Sequence, residues 1–197
     1  GSEEDGYIDY GSHACQGEEC VPLTTTFVGG LTPQTTFREV ARKFDALSPR
    51  SDKRVELWWN SEVHEEPVRC DSFFSGGGAR LDRVTCRGLG PREARNFERL
   101  MRSLLRDLTA RYGTPVRADP PESDDARRVQ KWGGSWVWKD ETAVTTFEFE
   151  FEPTAVRAEE MIQEILAERK GASGRIPGGE RWGEERGRHF KIEQEMG

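Results

Sequence analysis

The stretch Cys70-Asp-Ser-Phe-Phe-Ser-Gly-Gly-Gly-Ala-Arg-Leu-Asp-Arg-Val-Thr-Cys86 decides the fold. Its midpoint is Gly78, inside the triplet Gly76, Gly77, Gly78. Folding the run there sets the two cysteines opposite one another. Directly opposed residues of an antiparallel pair lie about 4.5–5.5 Å apart at Cα, within the reach of a disulfide. The run therefore reads as a β-hairpin clamped across its strands. In the chain-entropy view, a loop of this length stabilises the fold by roughly 3 kcal/mol.

Outward from the hairpin the pattern continues in antiparallel fashion. Val55, Leu57 and Trp59 alternate with Glu56, Trp58 and Asn60, the signature of a half-buried strand. Together with Val68–Phe74 and Leu81–Cys86 it predicts a three-stranded meander. A second hairpin is expected from Trp136–Lys139 and Val144–Glu152, turning at 140–142. Phe147, Phe149 and Phe151 share one side of it, and Glu148, Glu150 and Glu152 the other. One buried and one wet face is what an antiparallel sheet backed by helices requires.

Three helices are expected. Thr36-Phe-Arg-Glu39 is a capping box leading into Val40, Ala41 and Phe44. Residues 91–112 carry the stripe Phe97, Leu100, Met101, Leu104, Leu108 and Tyr112, with Gly113 as the stop. Ala155–Arg169 is the third, with Ala158, Ile162 and Ile165 expected inward. Thr24–Val28 reads as a further short strand, and Thr114–Arg117 as a short extended piece.

The predicted fold is α+β: an antiparallel sheet, a meander plus a second hairpin, with two to three helices on one face. Three segments are expected. Residues 1–22 form an acidic, disordered arm holding a possible small disulfide ring. Residues 23–169 form the single folded domain. Residues 170–197 form a flexible tail, with Trp182, Phe190 and Ile192 as the groups able to dock. Of the net charge of −7, six negative charges belong to the first 30 residues, which contain no Lys or Arg. The body is nearly neutral, so bulk charge gives no reason to expect a nucleic-acid partner.

Four cysteines permit three connectivities. If Cys70 pairs with Cys86, Cys15 remains for Cys20. Disulfides imply an oxidising compartment, periplasmic or extracellular. The spacing of Cys15 and Cys20 is not that of a zinc knuckle, and no metal or other cofactor is expected. No apolar run approaches a membrane span. Gly1-Ser2 resembles a cloning scar; if the natural protein is secreted, its signal peptide or lipid anchor has been cut away, so the absence of one is uninformative.

Two surfaces are candidates for partner binding. Arg92, Arg95, Arg99, Arg102 and Arg106 recur at spacings of three and four. At about 100° per residue they gather opposite the apolar stripe, ready for a protein partner with an acidic surface. Trp58, Trp136 and Trp138 are the second, as interface anchors or sugar-stacking rings. No nucleophile elbow, phosphate loop or zinc-protease motif occurs. The expected function is a non-catalytic extracytoplasmic binding module, such as an inhibitor, immunity factor or envelope assembly protein. A carbohydrate or peptidoglycan binder using exposed Trp is the alternative. A hydrolase using Glu148 and Glu150 is the third reading.

Overall fold

A computed structural model describes residues 15, 19–48, 54–173 and 186–197. The expected disorder of residues 1–14, and of residues 174–185 within the predicted tail, lies outside the described residues. The fold is α+β: one seven-stranded antiparallel sheet with helices.

The hairpin forms as its cysteines dictate. Strand β1 (Glu56–Val63) pairs with β2 (Glu66–Ser75), and β2 with β3 (Arg80–Gly88). Cys70 stands directly opposite Cys86, with Cα atoms 4.0 Å apart and the sulfurs at bonding distance. Phe73 pairs with Arg83 and Phe74 with Leu81, which leaves Asp82 over as a bulge. The β1–β2 turn is two residues, His64 and Glu65, both at positive φ (47° and 66°). That is the backbone of the tight hairpin turn matching strand twist.

The capping box appears as read. The Thr36 hydroxyl accepts from the Glu39 amide, and the Glu39 carboxylate accepts from the Thr36 amide, opening α1 (Phe37–Phe44). Helix α2 runs Ala94–Tyr112, so Pro91 and Arg92 precede it rather than forming its first turn. Strand β4 is short (Arg117–Asp119), followed by β5 (Trp132–Lys139) and β6 (Ala143–Phe151). Thr24–Val28, expected as a strand, forms turns instead. Thr26 explains this: its hydroxyl accepts from the Leu31 amide and donates to the Val28 carbonyl, bending the chain locally.

The largest correction concerns the predicted flexible tail. Arg188–Met196 form β7, and β7 is the middle strand of the sheet. The order is β1-β2-β3-β7-β6-β5-β4, with β7 antiparallel to both β3 and β6. Phe190, Ile192, Gln194 and Met196 all point into the core. Gly88, opposite Phe190, makes this insertion possible: a Cβ there would lie 2.5 Å from the Phe190 ring.

Helices α1 and α2 cover one face of the sheet. Phe44 stacks on Trp59 with centroids 4.3 Å apart, and Phe97 packs among Trp132, Phe149 and Phe151. Gln194 ties the layers together. Its amide nitrogen donates to the Tyr112 hydroxyl (2.9 Å) and to Thr145 Oγ1 (3.2 Å). Its oxygen accepts from the Phe27 amide at 2.6 Å. A polar group so buried is tolerable only because it is satisfied.

Helix α3 (Pro153–Ser173) departs from expectation. Val156 is buried, but Ala158, Ile162 and Ile165 do not face inward. Met161 is 64% exposed, and Ile162 and Ile165 are each 49% exposed. Its second turn still borders the body, where Arg157 and Glu160 line a small pocket with Arg92 and Arg127. Among the described residues no helix is long and apolar enough to cross a membrane.

Cys15 and Cys20 also lie at bonding distance, so all four cysteines pair. Their ring rests on the end of α2, where Gly113 has φ 91° and a Cβ would come 3.2 Å from the Cys20 sulfur. Val21 donates to the Arg111 carbonyl beside it. Two such pairs are what an oxidising environment sustains.

Candidate functional site: the open face of the sheet

With α1 and α2 on one face, the other face of the sheet is open among the described residues. Alternation puts every second residue there, and the register sorts them into rows. One row runs Trp58, Asp71, Thr85, Glu193, Thr146 and Val137. A second runs Glu56, Phe73, Arg83 and Glu195. A third runs Asn60, Arg69, Arg87, Lys191 and Glu148. Over the middle strands these rows floor a groove of about 870 Å³. Six Lys or Arg and five Asp or Glu residues line it.

Two arginines in the groove are held by aromatic rings. The Arg69 guanidinium lies 4.4 Å from the Trp58 ring centre, and that of Arg83 lies 4.3 Å from Phe73. A guanidinium stacked on a ring keeps its donors free at its edge and loses less rotamer freedom on binding. Ion pairs complete the lattice: Arg69 with Asp71 (3.6 Å), Arg83 with Glu195 (3.8 Å) and Lys191 with Glu148 (3.2 Å). Thr85 donates to Glu193 at 3.1 Å.

No known family model, curated protein or solved structure matches the chain. The site must therefore be read from its own geometry.

The groove continues over the β5 side. Glu150 pairs with Lys131 and lies 3.8 Å from His189. Burial holds His189 below its usual value of 6.5, against the pull of Glu148. Glu148 and Glu150 do share this face, and each is engaged by a cation. Among the described residues no group of three or more His, Cys, Asp or Glu is placed to hold a metal ion.

The predicted site residues divide. Trp58 is on the open face, half-buried beneath Arg69. Trp136 and Trp138 are not exposed: they are 0% and 1% accessible, in the core with Phe147 and Phe149. Inward positions two residues apart on β5 share the covered face. That removes them as sugar-stacking rings. Trp138 is fixed there by donating to the Gly113 carbonyl at 2.8 Å.

The arginine stripe is also broken up. It lies on α2, which covers the opposite side of the sheet from the groove. Arg92 precedes the helix. Arg95, Arg99 and Arg106 are exposed. Arg102 is half-buried and reaches the Asp124 carbonyl at 3.4 Å. A loop, 120–128, packs there. Glu98 accepts from the Ala126 amide, and burial nevertheless raises its carboxyl above the ordinary value. Asp125 is held at about 2, chiefly by its hydrogen bond from the Arg127 guanidinium.

Phe73, Arg69, Arg83, Arg87 and Lys191 were not among the sequence candidates. The signal for Phe73 was present: in Phe73-Phe74, strand alternation forces one ring outward. The cation row had no comparable signal, because its third member lies on β7.

Proposed function

We propose that the protein is a non-catalytic binding module of an oxidising compartment, periplasmic or extracellular, and that it holds a protein partner on the open face of its sheet. The observation that carries this reading is the pair of aromatic-backed arginines in a groove, Arg69 on Trp58 and Arg83 on Phe73. Trp and Arg are the residue types that dominate the energetics of protein interfaces, and Phe too is enriched there. The surrounding ion pairs form a polar rim of the kind that excludes water without contributing much affinity. Inhibitors, immunity factors and envelope assembly proteins all fit such a surface.

The test is affinity capture from an extract of the native host. The full chain is the bait, beside Phe73→Glu, Trp58→Ala and Arg99→Glu. A partner retained by the wild type and by Arg99→Glu, but lost with Phe73→Glu and Trp58→Ala, is the expected result. Loss with Arg99→Glu alone would move the site to α2 and end the open-face reading.

A further inference from the structure

The third row of the open face holds three cations side by side. Arg69 pairs in register with Arg87, and Arg87 with Lys191. Neighbouring strands lie about 4.8 Å apart, so the row spans about 10 Å. Like charges directly opposite one another destabilise a sheet. The flanking cations are compensated: Arg69 by Asp71, Lys191 by Glu148. Arg87, between them, is exposed and makes no ion pair with a described residue. Arg186 lines the same groove. A sheet shaped for stability alone would set an anion beside Arg87.

We propose that the row Arg69–Arg87–Lys191 reads carboxylates, and that the partner presents an acidic peptide segment that crosses β2, β3 and β7. This rests on the open face being the docking surface. Arg87 supplies a bidentate fork for one carboxylate. A second falls to one of its flanking cations, Arg69, already stacked on Trp58, or Lys191 on the other side. Same-side residues of an extended segment are about 6.8 Å apart, so two of them fit within the row. The anions in the groove, among them Asp71, Glu148 and Glu193, select against a dense anionic surface such as a lipid headgroup layer. Separated carboxylates avoid them. Phe73 offers an apolar contact further along β2, beyond the row of Asp71 and Thr85.

The probe is a short fluorescent peptide of alternating Glu and Ser, with a Gln-for-Glu analogue as control, read by fluorescence anisotropy on the full chain. The Glu peptide is expected to bind at least about tenfold more tightly than the Gln analogue. Arg87→Glu should remove about tenfold or more of that affinity, and Arg87→Gln a smaller part, while Arg99→Glu leaves it intact. Binding should collapse near 1 M salt, where the screening length is about 3 Å. Near-ultraviolet circular dichroism of both Arg87 variants guards against misfolding. Equal binding of the two peptides, indifference to Arg87→Glu, or preferential binding of phosphatidylglycerol vesicles would overturn the proposal. If host-partner capture still depends on Phe73 while the peptide result fails, only the carboxylate reading falls. If both fail, the docking surface falls with it.

Discussion

The two faces of the sheet are built by the same strands and differ in what holds them. On the covered face, Trp132, Trp136, Phe147 and Phe149 form a continuous aromatic layer, with Trp138 buried on the same strand and a polar hub at Gln194. On the open face, charges are set in register rows over two aromatic platforms. The covered face carries the stability through burial, roughly 25 cal/mol for each Å² of apolar surface. The open face carries little stability, since exposed ion pairs contribute about 0–1 kcal/mol each. It is therefore the surface on which residues are free to serve binding.

Substitutions should separate the faces cleanly. The largest effect is expected from Trp138→Ala, which empties a core site and strands the Gly113 carbonyl. It should lower unfolding stability by about 3–5 kcal/mol in a denaturant titration. Next is the clamp between β2 and β3: Ala at both Cys70 and Cys86 should cost about 3 kcal/mol. Reductant, which opens Cys15–Cys20 in both proteins, should cost the wild type more than the variant by a matching amount. Gln194→Leu follows, at about 1–3 kcal/mol, because the Phe27 amide loses its acceptor while remaining part-buried. Smallest is Arg87→Gln, within about 0.5 kcal/mol of the wild type. A loss of 2 kcal/mol or more there would mean the open face is structural after all.

Legibility followed the same division. The Cys70–Cys86 register, the capping box at Thr36 and the Phe147–Phe151 alternation were readable because each rests on local spacing that sterics enforce. β7 was not. Its inward series Phe190, Ile192, Gln194 and Met196 is interrupted by a polar residue, and it follows a glycine- and charge-rich stretch. Only its distant partners at Tyr112, Thr145 and Phe27 make Gln194 a core residue. Trp136 and Trp138 were recognisable as sharing a face, but which face is covered is decided by where α2 packs. The groove could not be assembled from sequence because its rows cross β3 to β7, a pairing that joins residues such as Arg83 and Glu195. Helix α3 shows the reverse failure: Ile162 and Ile165 have helical spacing yet stay half exposed.

The central place of β7 also sets the order of events in folding. Strands β1–β3 form one meander and β4–β6 another, and neither meets the other except through β7. Until that strand arrives, both halves present a bare, hydrogen-bond-hungry edge flanked by the core's aromatic residues, the condition that invites pairing with another chain. In a growing polypeptide β7 emerges after the other six strands, so the sheet closes in a late, long-range step. Such closure is slow, because the chain entropy is lost before the contacts repay it. The protein should thus stay open, and dependent on whatever shields its edges, for longer than its size alone would suggest.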